Sequence, residues 1–446
     1  MLMILVYTEK ITPRIKYIFP QILCRTLGFE ITLTDDLQKA QQTSRPLINY
    51  SETPIANAIQ VKPAGLLTQT DIDENLTPEV LVGKKRKIMF CTNRETLDFD
   101  LFSASFYLIT RYEEYIIREV DKHGRFMAQN SIAFKNQFLM EPLVDQWAYD
   151  FKEEILAKFP DLPCKVPEFR FIPTIDIDNS FAFKNKGIII NTYGLLRDLF
   201  KGNFTFVKLR LRTLLRLQKD PFFQYHFMSE VHDHYHIYPF YFIHRGGYGK
   251  YDKKTIFPSW QEFKQLVKIG RMDIVGIHPS YRASFDKDLV QKEIQRLEKI
   301  INKKIILNRF HYIRFHLPES YRMLEKLGIT KDFSMGYATV LGFRASTSIP
   351  FYFYDLEKET KTGLEIYPFE LMDRTAKDIL GLPRRDVIAH AKTIGDKIAE
   401  VHGVYITVFH NEAFSHLPEW KRYREIYRSI LDYGTQLQRR EMGETE

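Results

Sequence analysis

Two acidic side chains, Asp176 and Asp178, stand at the end of an apolar segment. They close the stretch 174–178, Thr-Ile-Asp-Ile-Asp, whose β-branched residues follow Phe-Arg-Phe-Ile-Pro at 169–173 and predict a strand. Side chains alternate along a strand, so both carboxylates would share one face, about 7 Å apart. They would repel each other unless a divalent cation or a shared proton lay between them. A surface turn with two solvated acids is the competing interpretation, although an apolar strand rarely makes such a turn.

Other predicted strands also end in residues that can do chemistry. A single histidine at a strand end is usually structural, but here four further strand ends carry His or Arg. In parallel α/β folds, catalytic groups gather at the carboxyl ends of the strands, and carboxylate with imidazole is the ligand set that zinc prefers. The residues at these positions are His244, His278, Arg309, His311 and His410.

The elements that would position these residues alternate regularly after Pro167. Strands are predicted over 239–244, 273–277, 304–307 and 404–409, and helices over 259–268, 290–301, 319–327 and 387–401. Repeated βα units of this kind predict an α/β fold, a distorted (β/α) barrel over residues 166–446 with helices outside.

Two further regions are predicted before the barrel. Residues 1–95 would form a small α/β domain of unknown role, and residues 96–165 a helical connecting region that ends at a proline-rich boundary. The elements expected there are strands over 2–7 and 29–34 and helices over 14–27 and 101–115.

The predicted helix over 101–115 contains two adjacent acids, Glu113 and Glu114. Neighbouring helix positions point about 100° apart, so a solvated face is a better interpretation than a catalytic pair.

Composition indicates a soluble globular protein. The 446 residues are 44% hydrophobic and 27% charged, and no run of 18 apolar residues predicts a spanning helix. Residues 1–7 are apolar but lack the basic start and length of a signal peptide. The cysteines, Cys24, Cys91 and Cys164, have neither disulfide nor thiolate-metal spacing, so we expect a reducing, cytoplasmic location.

The net charge of +8 is concentrated between residues 184 and 219, where Asp198 is the single acid. Read as a helix, residues 207–219 place Val207, Leu211, Leu214 and Leu215 on one face and basic residues on another. Such a segment could bind an anionic membrane over 200–219 or gather anionic substrates, but an outer helix with a solvated basic face is the simpler interpretation. No nucleic-acid motif accompanies the charge, so no nucleic-acid partner is predicted. The bases of this segment are Lys184, Lys186, Arg197, Lys201, Lys208, Arg210, Arg212, Arg216 and Lys219.

The segment 168–415 resembles the polysaccharide deacetylases, metal-dependent enzymes that remove N- or O-acetyl groups from sugar polymers. Residues 174–178 look like the motif of the base and metal-binding aspartates, and Gly-Ile-His-Pro-Ser at 276–280 like the metal-histidine motif. Arg-Phe-His-Tyr at 309–312 is similar to the arginine motif, and Val-Phe-His-Asn at 408–411 to that of the acid histidine. Segments 332–337 and 342–347 resemble a divergent branch in which an N-terminal domain of unassigned function precedes the deacetylase part, as residues 1–165 would here.

The sequence departs from that family at two points. Its better-known members have adjacent aspartates, whereas Ile177 separates Asp176 from Asp178. They also carry a second metal histidine four residues after the first, where this chain has Arg282, which cannot be a ligand. If a metal binds, His311 is our choice of third ligand.

The resemblance implies a role for each residue. A divalent metal, expected to be zinc, would be held by Asp178, His278 and His311. Asp176 would be the general base, oriented by Arg309, and His410 the general acid. Residues expected to contact an acetylated carbohydrate are Arg344, Tyr337, His244 and Tyr281. The alternative role for Arg344 is an ion pair with Asp332.

Two other functions stay open at this point. A catalytically inactive protein of the same fold could bind a carbohydrate or a partner, which Arg282 favours, since fold does not settle function. A peripheral membrane protein of glycan assembly could dock through residues 200–219. The sugar, the type of acetyl linkage and the oligomeric state are not predicted.

Overall fold

The computed structural model describes residues 3–92, 98–247, 249–252 and 260–443. Some predicted elements and regions begin or end outside these ranges, at residues 1, 2, 95, 96, 259 and 446.

The chain begins with a small α/β unit. Its elements are β1 (Ile4–Thr8), α1 (Pro13–Phe19) continued by a π-helix (Pro20–Thr26), β2 (Ile31–Thr34), α2 (Leu37–Gln41), β3 (Leu47–Tyr50), β4 (Ile59–Val61), β5 (Val80–Val82) and β6 (Lys87–Met89). Four of the strands form a parallel sheet of order β2-β1-β3-β4, while β5 and β6 are a separate antiparallel pair. The α1 helix begins where the Thr12 hydroxyl accepts a hydrogen bond from the Ile15 N–H, with Pro13 at the first helical position.

Four helices follow: α3 (Leu101–Ile109), α4 (Tyr112–Ile116), α5 (Ile132–Lys135) and α6 (Leu143–Lys158). The helix predicted over 101–115 is therefore broken, and Arg111 at the break has a left-handed φ of 56°. The predicted solvated face at Glu113 and Glu114 is wrong, because both side chains are 4% exposed and pair with Arg111. The break turns α4 inward, where buried arginines compensate the acids.

The remaining elements build the larger sheet and its flanking helices. They are β7 (Arg170–Ile177), α7 (Ile188–Phe200), α8 (Phe204–Leu214), α9 (Tyr225–Tyr235), β8 (Phe240–His244), α10 (Trp260–Ile269), β9 (Ile274–His278), α11 (Lys287–Ile301), β10 (Leu307–Asn308), α12 (Glu319–Lys326), β11 (Lys331–Asp332), β12 (Phe351–Asp355), β13 (Thr360–Ile366), β14 (Leu371–Met372), α13 (Arg384–Glu400), β15 (Val404–His410) and α14 (Tyr423–Glu441). Across the described ranges, no helix has both the length and the apolar character to cross a membrane.

Nine strands form one sheet of order β12-β13-β11-β10-β9-β8-β7-β15-β14, parallel except between β12 and β13. Among the described residues the outer strands, β12 and β14, each pair on one side, so the sheet is open. The mixed α/β architecture agrees with the prediction, but the predicted barrel is not confirmed. The βα repeat is interrupted because β12 and β13 form a hairpin at one edge.

The central strands are held in register by a dense apolar core. In β7 and β15, Ile175 and Phe409 are completely buried partners, and the next pair in register is Asp176 with His410. On the other side of β7 lie β8 and then β9, and the last residues of these two strands, His244 and His278, are also partners in register. Parallel pairing thus carries these polar side chains to the same edge of the sheet. Gly276 makes this packing possible, because a Cβ there would lie 2.7 Å from the Phe242 ring.

The first helix of the chain covers one edge of this sheet. Tyr17 Oη donates to the backbone oxygen of Tyr352, 2.7 Å away, and Gln21 Nε2 donates to that of Pro350, at 3.3 Å. Arg14 also pairs with Glu359 at 2.5 Å. The small α/β unit therefore packs directly against β12 and the turn beyond it.

Candidate metal centre and active site

Asp178, His278 and His311 meet at the carboxyl edge of the larger sheet. His278 Nε2 lies 3.3 Å from Asp178 Oδ1, and His311 Nε2 lies 3.5 Å from Asp178 Oδ2. One ligand atom from each of the three residues falls within 4.8 Å of the others. The residues come from the ends of β7 and β9 and from the turn after β10, so parallel pairing of these strands assembles the group.

The far side of each imidazole is held by a second contact. His278 Nδ1 lies 2.7 Å from the backbone oxygen of Arg309, and His311 Nδ1 lies 3.2 Å from Asp252 Oδ1. Such contacts fix the ring and, in the neutral form, leave Nε2 as the free electron pair, as in metal-binding histidines.

The donor set fits a divalent cation. Within the described structure, the buried atoms Asp178 Oδ1 and His278 Nε2 have no hydrogen-bond partner. Buried polar atoms are normally satisfied, and two that face each other across 3.3 Å suit a bound ion. One carboxylate with two imidazoles matches zinc among the common ions.

The charges within this group are strongly coupled in the metal-free protein. Burial alone would raise the pKa of Asp178, but the charges of His311 and His410 hold it well below its ordinary value. Burial alone would likewise lower the pKa of His311, yet Asp178 and Asp252 raise it to about 9. A cation bound between Asp178, His278 and His311 would displace the proton from His311, since only the neutral ring can be a ligand.

The second carboxylate of the strand, Asp176, is held by a buried arginine. Arg309 Nη1 donates to Asp176 Oδ1 at 2.8 Å and to Thr174 Oγ1 at 2.7 Å, and Arg309 Nε donates to the backbone oxygen of Phe333 at 2.9 Å. The other carboxylate oxygen, Asp176 Oδ2, lies 3.9 Å from His278 Nε2. Asp176 thus has one oxygen fixed by Arg309 and one directed at the metal group.

His410 approaches the same group from the end of β15, the strand next to β7. Its Nε2 lies 3.8 Å from Asp178 Oδ2, while its Nδ1 lies 2.7 Å from Asp373 Oδ1. The backbone N–H of His410 donates to the second oxygen of Asp373 at 2.8 Å. Burial alone would lower the pKa of His410, but Asp373 and Asp178 raise it to about 9. In the metal-free protein these carboxylates therefore favour the cationic form of the ring.

Sequence reasoning missed Asp373 and Asp252. Asp373 follows β14, which pairs with β15 over two residues, Leu371 and Met372. Two apolar residues before an acid are a recognisable signal, but too short to predict a strand. Asp252 lies in the irregular segment after β8, where it accepts hydrogen bonds from the backbone N–H groups of Tyr281 and Arg282. No periodic pattern indicates it.

His244 lies beside the group of Asp178, His278 and His311, but it does not line the cavity that opens over that group. Its Nδ1 lies 3.3 Å from the backbone oxygen of His278, and its Nε2 lies 3.9 Å from Asp252 Oδ1. Burial, with the neighbouring His311 and His278, lowers the pKa of His244 to about 3. Together with Asp252 and His311 it forms a second possible ligand group, which shares His311 with the first.

A cavity of about 310 Å³ opens over the site, and Asp176, Asp178 and His410 form its floor. Aromatic rings of His123, Tyr251 and Tyr312 line its wall. Tyr281 supports this wall from behind: its ring lies 4.4 Å from that of Tyr251, and its Oη lies 3.2 Å from His123 Nδ1. Aromatic faces next to polar groups suit the apolar face and hydroxyls of a sugar.

Arg344 and Tyr337 line a smaller, neighbouring pocket. Both oxygens of Glu114 accept hydrogen bonds from Arg344, at 2.9 and 2.6 Å, and Tyr337 Oη accepts one from Arg111 at 3.2 Å. The alternative ion pair between Arg344 and Asp332 is wrong, because Asp332 instead accepts from neutral donors. These donors are Asn308, Ser334 and Tyr321.

Comparison with known proteins supplies two further findings. Residues 4–160 match a family of unknown function, DUF7033, and no curated protein gives a significant match. The fold is similar to a candidate polysaccharide deacetylase from Mycobacterium smegmatis, with 13% identity, a TM-score of 0.38 and coverage of 60% of this chain and 87% of that one. It is also similar to a polysaccharide deacetylase from Bacillus cereus, with 12% identity, a TM-score of 0.27 and coverage of 59% and 86%.

Proposed function

We propose that this protein is a metal-dependent hydrolase that removes acetyl groups from a carbohydrate. One observation carries the proposal: a fixed carboxylate, Asp176, and a cationic imidazole, His410, both lie within about 4 Å of the ligand group of Asp178, His278 and His311. Hydrolysis of an acetyl group needs a base for the attacking water and an acid for the departing atom, and this arrangement supplies both.

Asp178, His278 and His311 would hold the cation, which we expect to be zinc. When bound, it would lower the pKa of water and polarise the acetyl carbonyl. His311 would take the place of the second family histidine, because the chain has Arg282 at that position and an arginine side chain cannot bind a cation.

Asp176 is the general base of the proposed reaction. Its hydrogen bond from Arg309 Nη1 fixes the plane of the carboxylate, so Oδ2 is the oxygen that can accept the proton of the attacking water. Arg309 in turn is fixed by Thr174 and the backbone of Phe333, which makes it a positioning residue.

His410 is the general acid. With Asp373 bound at Nδ1, its second proton lies on Nε2, on the side of the ring that faces Asp178. As the carbon–nitrogen or carbon–oxygen bond breaks, His410 passes that proton to the departing amine or alkoxide, and acetate is the second product.

The substrate proposed is an acetylated carbohydrate. The wall of His123, Tyr251 and Tyr312 offers stacking faces close to the reacting groups, and Tyr281 braces it. Polysaccharide deacetylases are also what the two similar structures are described as. In this proposal residues 166–446 are the hydrolase, 1–95 a small additional domain and 96–165 the connection. Three free cysteines suit a reducing compartment such as the cytoplasm.

Metal analysis combined with an acetate-release assay tests the proposal. After reconstitution with zinc and dialysis, we expect one equivalent of zinc per chain and release of acetate from an acetylated oligosaccharide. The Asp176→Asn variant should keep the zinc and lose turnover by at least about a hundredfold, the lower range for general-base removal. Zinc-free protein after reconstitution would refute the enzyme and favour the inactive carbohydrate-binding alternative. Undiminished turnover by Asp176→Asn would refute the assignment of the base.

A further inference from the structure

The α7 and α8 helices form a hairpin that turns its apolar side chains outward. Of the 23 large apolar residues that are exposed in the described part of the chain, 11 lie between residues 188 and 217. Ile188 at the start of the hairpin is 86% exposed, and Phe200 and Phe204 at its turn are 89% and 68% exposed. The complete set is Ile188, Ile189, Tyr193, Leu196, Leu199, Phe200, Phe204, Leu211, Leu214, Leu215 and Leu217. We call these residues the apolar face of the hairpin.

The seam between the two helices is polar instead. Arg210 Nη2 donates to Asp198 Oδ2 at 2.9 Å, and Arg210 Nη1 donates to Asn191 Oδ1 at 3.1 Å. Gly194 gives the guanidinium room, because a Cβ there would lie 2.6 Å from Arg210 Nη2. The hairpin thus buries charged side chains and exposes leucines. An amphipathic helix on a protein in water does the opposite, with its apolar side chains inward and its charged ones outward.

The simpler sequence interpretation is an outer helix with a solvated basic face, and the structure leaves leucines of the other face exposed as well. Leu211 and Leu215 are 42% and 67% exposed, whereas Arg210 is buried. Clusters of exposed large apolar side chains are uncommon on monomeric soluble proteins and mark interaction surfaces.

The cations around the apolar face indicate what covers it. Asp198, the single acid between residues 184 and 219, is engaged by Arg197 and Arg210. Several other bases of the hairpin and the segment after it are exposed, with no acid of the hairpin left to pair with them. These exposed bases are Lys201, Lys208, Arg212, Arg216 and Lys219.

We propose that the α7–α8 hairpin docks the protein on an anionic lipid bilayer, with the apolar face in the headgroup–acyl boundary and the cations among lipid phosphates. Apolar burial together with several basic residues is the combination that holds peripheral helices on membranes. A second copy of the chain is the poorer occupant, because two such faces would bring identical cations together.

The docked hairpin would lie close to the active site. It directly follows β7, which carries the aspartates, and a groove beside it is lined by Arg197, Phe206 and Arg210. This groove shares Asn179, Arg374 and Glu412 with the cavity over the proposed metal ligands.

Vesicle sedimentation of the full chain tests the proposal. Wild-type protein should sediment with vesicles of phosphatidylcholine and phosphatidylglycerol, and much less with phosphatidylcholine alone. Phe200→Ser with Phe204→Ser should weaken binding by at least about tenfold, since each ring loses its burial in the membrane. Lys208→Glu with Arg212→Glu should also weaken it by about tenfold or more.

The matched control is Val82→Ser with Tyr238→Ser, which removes two equally exposed apolar residues away from the hairpin and should leave binding unchanged. Wild-type protein that stays in the supernatant overturns the proposal, as does a Phe200→Ser, Phe204→Ser variant that sediments like wild type. A concentration-dependent dimer in light scattering that the phenylalanine variant abolishes, without vesicle binding, would assign the face to self-association instead.

Discussion

Asp373 holds both the ring and the backbone of His410, with Nδ1 2.7 Å from one carboxylate oxygen and the backbone N–H 2.8 Å from the other. A carboxylate in this position fixes the ring and favours its cationic form.

Asp373→Asn should therefore move the pH profile of the proposed reaction. Burial lowers the pKa of His410 and Asp373 is the largest influence that raises it, to about 9. Wild-type kcat/KM should fall at alkaline pH, because the acid loses its proton, and the variant should lose activity at a lower pH. Asp378→Asn, which changes a cavity carboxylate paired with Arg374, is the control. An unshifted alkaline limb in Asp373→Asn would contradict the role of His410 as acid.

Substitution of the two neighbouring histidines should separate the two possible ligand groups. We expect His278→Gln to lower zinc affinity by at least about a hundredfold, more than loss of an outer contact, and His244→Gln to retain stoichiometric zinc. Competition with a chelating dye measures both affinities. Loss of zinc from His244→Gln, with zinc retained by His278→Gln, would instead assign the ion to His244, Asp252 and His311.

The aromatic wall gives a prediction about substrate binding. Tyr312→Ala should raise KM by roughly fivefold and change kcat little, because a stacking contact of about 1 kcal/mol is lost while the reacting groups stay in place. Tyr281→Ala should have a smaller effect of the same sign, since Tyr281 braces the wall through Tyr251. Tyr238→Ala, an exposed tyrosine that does not line the cavity, should leave KM unchanged. Equal KM values for wild type and all three variants would show that the aromatic wall does not contribute to substrate binding.

Glu114→Ala should destabilise the fold, since Glu114 pairs with both Arg111 and Arg344. Breaking such a buried pair costs about 3–5 kcal/mol of unfolding free energy, measurable by urea titration. Burial alone would raise the pKa of Glu114, but Arg344 and Arg111 hold it below its ordinary value. The stabilisation is therefore present above the ordinary pKa and is lost as pH falls through the folded-state pKa, so wild type and variant should converge in acid. Glu153→Ala, which breaks an exposed pair with Lys85, should leave stability unchanged, and an equal loss in both variants would argue against the buried network.

Strand ends were the most informative part of the sequence. Hydrophobic runs that close on Asp178, His278 and His410 predict a shared edge, and parallel pairing does bring these side chains together. Periodicity suffices there because each strand is long enough to show it, and one register then determines where its last residue lies.

The rest depends on contacts that local patterns do not contain. Glu114 and Arg344 are separated by 230 positions, so neither neighbourhood reveals the other's charge. The hairpin of β12 and β13 opens the sheet where the βα rhythm predicts a barrel. The apolar spacing over 207–219 indicates a helix, but α8 ends at Leu214, and Arg216 beyond it has a left-handed φ of 60°. The sequence also cannot say which face turns inward when the neighbouring helix offers Asp198 and Asn191 to Arg210.

The contacts of Tyr17 and Gln21 with the backbone oxygens at the sheet edge have a consequence for truncated forms. An uncovered edge strand is a template to which strands of other molecules can add, and proteins commonly shield it with a helix. Shortening the chain to its larger sheet would remove that shield and leave β12 prone to aggregation. The N-terminal region thus shields β12 along that edge.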